Sequence, residues 1–202
     1  MKLYYKPGAC SLSPHIVLRE AGIDFEIEQV DTTTKKTASG ADFTQINPKG
    51  YVPALVLDNG QVLTEGAAIV QYIADQNAPS GLAPAAGTIE RARLQEHLNY
   101  VASEFHKAFG PLFTPDASET EQRAAKANIV RRLDYLESLF ADGRAYLLGD
   151  SFSVADAYLF VVTSWARFKE IDLSGHPQVS AFLMRVAGRT KVQEALQAEG
   201  LA

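Results

Sequence analysis

Several features that would point to other classes of protein are missing from this chain. Of its 202 residues only Cys10 is a cysteine, so an internal disulfide and a cysteine-based metal cluster are excluded, and we expect no metal. There is no basic run, and 19 Lys and Arg against 24 Asp and Glu give a net charge of −5, which argues against a nucleic-acid partner. No apolar run reaches about 18 residues, and the first residues do not resemble a secretory signal. We therefore expect a cytoplasmic protein with no membrane partner.

The composition that remains is ordinary for a globular protein, with 47% apolar and 21% charged residues. One segment, 77–88, is rich in Pro, Gly, Ala and Ser, which is typical of a linker. Strand signals occur before this segment and disappear after it. The sequence thus predicts a first domain over 1–76, a linker over 77–88 and an all-helical domain over 89–202.

The first domain alternates between strand and helix signals. Residues 2–6 predict a strand, 11–21 a helix, and 25–30 a half-buried strand parallel to the first. Residues 54–63 predict a hairpin closed by a two-residue turn at Asn59-Gly60, because that dipeptide readily adopts positive φ. A helix follows this hairpin. The pattern predicts an α/β domain with a four-stranded mixed sheet and helices packed on it.

The second domain contains only helix signals. Two capping boxes, Ser118 with Glu121 and Ser153 with Asp156, mark the beginnings of two of its helices. A long helix over 89–110 presents an apolar stripe to the core, made of Leu94, Leu98, Val101, Phe105 and Phe109.

Cys10 lies at the junction between the first predicted strand and the first predicted helix. The free N–H groups and the dipole at a helix N-terminus favour the thiolate form of a cysteine. Cys10 to Ser13 also has the C-x-x-S spacing of a one-thiol redox motif, with Ser11 as a supporting group. A lone cysteine is more often a small buried apolar residue, so both interpretations stay open.

Thr64 and Glu65 stand at the beginning of the helix that follows the hairpin. The helix N-terminus is a ready carboxylate site, and the Glu65 carboxylate complements an ammonium group. A ligand with an amino acid end would suit this pair. The alternative is that Thr64 and Glu65 only cap the helix.

A second stripe on the helix over 89–110 is polar. Asn99, Ser103 and His106 follow one another at helical spacing, and Lys107 flanks them. A solvated helix face explains this pattern without any function. The other interpretation is that the stripe faces Cys10 across a cleft, with His106 close enough to hydrogen-bond a thiol or thiolate.

Motifs spread over nearly the whole chain resemble those of cytosolic glutathione transferases. They are KLYYKPGACSLSPHIVLRE, NPKGYVPAL, TEG followed by AAIVQYIAD, NYVASEFHKAF, and FSVADAYLF. Several of these motifs are shared across the superfamily, whereas Cys10 together with His106 and Lys107 resembles the bacterial beta class in particular. The resemblance implies a thioredoxin-like glutathione-binding domain, an all-helical domain lining the co-substrate pocket, and a homodimer. Ser153 and Asp156 match the structural capping box of the family.

The resemblance also implies a set of ligand contacts. Val52, before a cis Pro53, would pair its backbone with the cysteinyl unit of glutathione. Glu65 and Gly66 would hold the γ-glutamyl end, with a backbone N–H in place of the serine hydroxyl that some members use, and Lys35 would reach the glycyl carboxylate. Further contacts from the helical domain, some of them across the dimer, would come from Asn99, Ser103, Glu104, Phe105 and His106.

The activity implied by this resemblance is transfer of glutathione to an electrophilic, aromatic or halogenated small molecule. Cys10 would either stabilise the glutathione thiolate or form a mixed disulfide with it. Conjugation, thiol-disulfide exchange and reductive dehalogenation all remain open at this point. The alternatives are a glutathione-dependent thioltransferase or peroxidase, and a non-catalytic, stress-associated binding protein.

Overall fold

The computed structural model describes residues 1–202, which divide into two compact units. The first unit comprises Met1–Ala83 and Gly188–Ala202, and the second comprises Pro84–Ala187. The end of the chain therefore differs from the predicted domain over 89–202, because its last helix returns to the first unit. No helix is long and apolar enough to cross a membrane.

The first unit is built on a mixed sheet in the strand order β3-β2-β1-β4-β5. The strands are β1 (Lys2–Tyr5), β2 (Glu26–Asp31), β3 (Lys36–Thr37), β4 (Ala54–Val56) and β5 (Val62–Thr64). Only β1 and β2 are parallel, as predicted, and the other neighbours are antiparallel. The predicted count of four strands was wrong by one. The extra strand, β3, has two residues and is too short to produce a periodic pattern.

Helices α1 (Leu12–Glu20) and α2 (Gly66–Gln76) pack against each other in this unit, and single 3-10 turns lie at Phe43–Gln45 and Ala78–Ser80. Leu3 of β1 stands opposite Leu55 of β4, and both are fully buried. Burying such side chains is the main favourable term that holds the sheet and its helices together.

The hairpin between β4 and β5 closes with a three-residue loop, so the predicted two-residue turn was wrong. Only Gly60 has a positive φ, +80°, and Asn59 does not. The Leu57 N–H donates to the Gln61 carbonyl at 2.8 Å, and the Gly60 N–H donates to the Leu57 carbonyl at 2.9 Å. The Asn59 side chain accepts from the Gln61 N–H at 3.0 Å. A turn ending in one left-handed glycine is the common three-residue hairpin loop.

The last helix, α9 (Thr190–Ala198), packs along α1. Its buried residues Val192 and Ala195 contribute apolar surface to this contact. Before α9, the Arg189 guanidinium meets the Glu20 carboxylate through two contacts of 2.7 and 2.8 Å. This packing explains why 188–202 belong to the first unit.

A buried polar network fixes the end of the chain beyond α9. One Glu199 oxygen accepts from the Gly8 N–H at 3.0 Å, and the other lies 2.8 Å from Nδ1 of His15. Arg19 donates its Nε–H to Nε2 of His15 at 3.0 Å. Since Nε2 is an acceptor, the ring proton belongs on Nδ1, which donates to Glu199.

The second unit is all helical, as predicted. Its helices are α3 (Ile89–Tyr100), α4 (His106–Ala108), α5 (Gly110–Phe113), α6 (Glu119–Phe140), α7 (Val154–Phe168) and α8 (Pro177–Ala187). The predicted continuous helix over 89–110 is instead interrupted by a π-helical turn at Val101–Phe105. The predicted apolar stripe nevertheless stays buried throughout.

Both predicted capping boxes are confirmed. The Glu121 carboxylate accepts from the Ser118 N–H at 2.8 Å, and the Asp156 carboxylate accepts from the N–H and hydroxyl of Ser153 at 2.8 and 2.7 Å. Asp156 also accepts the Leu147 N–H at 2.8 Å, and it is fully buried. Burial raises the pKa of Asp156 to about 6, although these donors favour its carboxylate form.

Candidate active site

Cys10 occupies the turn between β1 and α1. Ser11 shapes this turn, because its buried hydroxyl accepts the Lys6 N–H at 3.1 Å and donates to the Lys6 carbonyl at 3.2 Å. The Cys10 side chain is half-buried rather than enclosed, and its Sγ donates to the Val52 carbonyl oxygen at 3.5 Å. The thiol therefore faces the loop that carries Val52, as a residue in a ligand site would.

The loop before β4 presents the Val52 backbone beside Cys10. The peptide bond between Val52 and Pro53 is cis, as the resemblance implied. Asn47, a buried residue, donates its side-chain N–H to the Tyr51 carbonyl at 2.7 Å and so ties the two ends of the loop together. The Val52 side chain is buried, which leaves its backbone as the group that a ligand can use.

Lys35 lies next to the same loop. Its ammonium group donates to the Gly50 carbonyl at 2.8 Å, and its own backbone has a φ of +59°. Positive φ is uncommon for a residue that is not glycine. A lysine ammonium has three donors, so the bond to Gly50 leaves it able to bind a carboxylate as well.

Glu65 immediately precedes α2 in an uncommon backbone conformation, with φ +68°. Its side chain makes no capping hydrogen bond to the helix, which disfavours the simple capping role. Its carboxylate instead accepts from the Lys49 ammonium at 2.5 Å and from the Tyr51 hydroxyl at 2.9 Å. The hydrogen bond to Glu65 raises the pKa values of both Lys49 and Tyr51. Glu65 is therefore a carboxylate that already holds an ammonium group, at the N-terminus of a helix beginning with Gly66.

His106 is the functional candidate of the helical unit, where it follows the π-helical turn. Its Nδ1 lies 2.8 Å from the Tyr158 hydroxyl, and its ring packs edge-on against Trp165 with a centroid distance of 4.8 Å. Burial, aided by the Lys107 charge, lowers the pKa of His106 to about 4. The imidazole is therefore neutral at pH 7, with one N–H donor and one acceptor nitrogen.

The other residues predicted on the segment 89–110 differ in exposure and therefore in which groups a ligand could contact. Asn99, Ser103, Glu104 and Lys107 are exposed, which also fits a solvated face. The Ser103 hydroxyl donates to the Asn99 carbonyl at 2.8 Å, and Glu104 pairs with Arg132 at 2.6 Å. Phe105 is fully buried against Phe109, so its side chain is a core group and only its backbone is left for a ligand.

Each unit thus gathers part of the predicted set. In the first unit the structure joins Cys10 to Val52 and Lys35 to Gly50, and it adds Lys49 and Tyr51, which the sequence analysis missed. Both missed residues belong to the NPKGYVPAL motif, so the motif itself was the available signal. In the second unit the structure adds Tyr158, which belongs to the FSVADAYLF motif, although no local pattern indicated its contact with His106.

Comparisons with known proteins agree over the whole length. The family model "Glutathione S-transferase, N-terminal domain" matches residues 8–76, and "Glutathione S-transferase, C-terminal domain" matches 100–190. Glutathione S-transferase GstA of Escherichia coli O157:H7 is 46% identical over 201 residues, with 100% of each chain covered.

Solved structures give the same result. The ternary complex of BphK, a bacterial glutathione S-transferase, is 56% identical, with a TM-score of 0.97 and 100% of both chains covered. A sphingomonad glutathione S-transferase complexed with glutathione is 50% identical, with a TM-score of 0.96 and 100% of both chains covered. The beta class enzyme of Sphingomonas chungbukensis is 48% identical, with a TM-score of 0.97 and the same coverage. This chain belongs to the glutathione S-transferase family.

Proposed function

We propose that this protein is a glutathione transferase that presents the glutathione thiolate to an electrophilic aromatic or halogenated small molecule. The observation that carries the proposal is the contact between the Cys10 thiol and the Val52 carbonyl. It occurs in a chain that is 50% identical over its full length to a transferase solved with glutathione. A thiol beside the backbone that would hold a cysteinyl unit is well placed to act on its sulfur.

The charged groups of the first unit suit the two ends of glutathione. Glu65 holds the Lys49 ammonium in this structure, and we assign it the α-ammonium group of the γ-glutamyl unit. The backbone at Gly66, where α2 begins, would receive the neighbouring carboxylate. The Lys35 ammonium would bind the glycyl carboxylate while it retains its bond to Gly50.

Glutathione would change the hydrogen bonding of Cys10. The Val52 carbonyl accepts the Cys10 S–H here, and it is also the acceptor that a bound cysteinyl N–H would use. An amide N–H is a stronger donor than a thiol, so the ligand would replace Cys10 on this carbonyl. The Cys10 S–H would then turn to the glutathione sulfur and stabilise its thiolate.

The helical unit would contribute a neutral donor and further contacts. His106 is neutral at pH 7, so it can donate one N–H to a sulfur anion without becoming charged. Asn99, Ser103, Glu104 and the Phe105 backbone would add polar contacts, some of them in a homodimer. We place the protein in the cytoplasm, where the glutathione pool is kept reduced.

A second candidate is thiol-disulfide exchange, which the half-buried Cys10 thiol supports. The Cys10 thiolate would attack the glutathionyl sulfur of a glutathione mixed disulfide, form a disulfide with glutathione and displace the other sulfur as a thiolate. A second molecule of glutathione would then release Cys10 and form glutathione disulfide. Disulfide reduction that exceeds conjugation, and that is lost in Cys10→Ala, would favour this candidate.

Glutathione binding by matched variants tests the proposal. Glu65→Gln removes the carboxylate charge assigned to the ammonium group, whereas Glu194→Gln removes a carboxylate that pairs with Lys191 on α9. A charge-assisted hydrogen bond is strong enough that we expect Glu65→Gln to weaken binding by about 10-fold or more. Calorimetric titration should give Glu194→Gln the affinity of the unmodified protein. Equal affinities for all three proteins would contradict the assignment, and no binding at all would revive a non-catalytic role.

A further inference from the structure

The proposed function assigns no role to the hydrogen bond between His106 and Tyr158. Tyr158 lies on α7 and is 4% exposed, and its hydroxyl is 2.8 Å from Nδ1 of His106. Buried phenol hydroxyls take hydrogen-bond partners, and here that partner is a ring nitrogen. The bond therefore bears directly on which nitrogen of His106 carries the proton.

The direction of this hydrogen bond follows from the two groups. A neutral imidazole has one protonated nitrogen and one lone-pair nitrogen, and the lone-pair nitrogen accepts more readily than a phenol oxygen does. The favoured arrangement has the Tyr158 O–H donating to Nδ1. In that arrangement the proton of the His106 ring resides on Nε2.

The aromatic residues around His106 hold the ring in this orientation. Trp165 is 5% exposed and packs edge-on against the imidazole at a centroid distance of 4.8 Å. Phe109 and Phe113 pack edge-on against Trp165 at 5.5 and 5.2 Å. A 180° flip of the ring would put the carbon Cδ2 in the place of Nδ1, so it would have to disturb this packing and would give up the bond to Tyr158.

We propose that Tyr158 is a positioning residue that holds the His106 proton on Nε2, the form in which His106 donates a hydrogen bond to the glutathione sulfur. The inference rests on the proposed function for the identity of that sulfur. The opposite tautomer would direct a lone pair at a thiolate, which is repulsive. Tyr158 acts only through His106 and does not itself touch the reacting atoms.

The tautomer can be measured in the unmodified protein, without any activity. The 15N chemical shifts of a protonated and an unprotonated ring nitrogen differ widely, and the chain has only four histidines to assign. We expect Nε2 of His106 to be protonated and Nδ1 unprotonated at pH 7. In Tyr158→Phe we expect a mixture of both tautomers. A His106 proton on Nδ1 in the unmodified protein would overturn the proposal.

Turnover separates positioning from a structural role. We expect Tyr158→Phe to lower kcat for a chloronitrobenzene probe on the order of 10-fold, a typical effect of removing an outer hydrogen-bond partner, and to leave the KM for glutathione unchanged. The matched control is Tyr100→Phe, because the buried Tyr100 hydroxyl has no hydrogen-bond partner. This control should retain full kcat.

A double-mutant cycle decides whether Tyr158 acts through His106. The amide nitrogen of Gln lies near the place of Nε2 of a histidine but offers no Nδ1, so His106→Gln keeps a donor that does not depend on Tyr158. Adding Tyr158→Phe to His106→Gln should therefore leave kcat as it is. A further 10-fold loss in the double variant would contradict the proposal. If His106→Ala leaves kcat unchanged, the catalytic role that the proposed function gives His106 is wrong. The measured tautomer would still decide whether Tyr158 holds the proton on Nε2.

Discussion

The hydrogen bonds of Glu199 predict that replacing this residue, near the end of the chain, lowers the free energy of unfolding substantially. In Glu199→Ala, the Gly8 N–H and the Nδ1–H of His15 both lose their acceptor. His15 and the Glu199 side chain have no exposed surface, so water cannot readily replace the lost bonds. An unsatisfied buried donor costs about 1–3 kcal/mol in the free energy of unfolding, so we expect a loss of roughly 3 kcal/mol from the fully buried His15 donor and the partly buried Gly8 donor together. This is a large share of the roughly 5–15 kcal/mol that stabilises a typical domain.

Urea denaturation followed by circular dichroism measures this loss, provided that the dependence on urea is unchanged between variants. Glu199→Gln keeps one acceptor oxygen and should lose roughly half as much stability as Glu199→Ala. Glu194→Ala, in the same segment, removes a partly exposed partner of Arg19 and Lys191 and should change stability little. A loss below about 1 kcal/mol in Glu199→Ala would refute the assigned role of the network.

Two further predictions concern the helical unit. Asp156→Ala should lower the free energy of unfolding by on the order of 3 kcal/mol, because the donors on Ser153 and Leu147 lose a buried carboxylate. Urea denaturation measures this loss. A loss no larger than that caused by Asp172→Ala, at an exposed aspartate, would contradict the prediction. Burial lowers the pKa of His106 to about 4, so the unfolded chain takes up this proton first as the pH falls. His106 should therefore make stability decline from about pH 6.5 toward pH 4, and His106→Gln should flatten that decline in denaturation curves measured across this range.

Short-range patterns in the sequence predicted much of the fold. The capping boxes at Ser118 and Ser153 depend on residues three positions apart, so the local sequence was sufficient to find them. The apolar stripe on α3 and the following turns was likewise visible as a periodic pattern. Strand β3 was missed because a two-residue polar strand carries no periodicity.

The features that the sequence could not reveal depend on contacts between distant residues. His15 and Glu199 are separated by 184 positions, and His106 and Tyr158 by 52. Nothing near any of these residues indicates its partner. The π-helical turn at Val101–Phe105 is similar in kind, because an ordinary helical pattern passes through it unbroken.

The candidate site was predictable in its residues but not in its hydrogen bonds. Cys10, Val52 and Glu65 were named from motifs and Lys35 from the family resemblance, and the structure places each at a turn or loop. The acceptor of the Cys10 thiol and the ammonium group on Glu65 became visible only in three dimensions. Side-chain partners of this kind are set by packing between elements, which a local pattern does not encode.

The most direct test of the account is the rate of Cys10 alkylation with and without S-methylglutathione, an analogue that cannot consume the reagent. Because Cys10 is the only cysteine, modification of a thiol by the reagent reports Cys10 alone. We predict that the analogue, at a concentration a few times its Kd, slows alkylation, and that Glu65→Gln loses most of this protection at the same concentration because it binds about 10-fold or more weakly. An alkylation rate that the analogue leaves unchanged would place Cys10 outside the glutathione site and contradict the account.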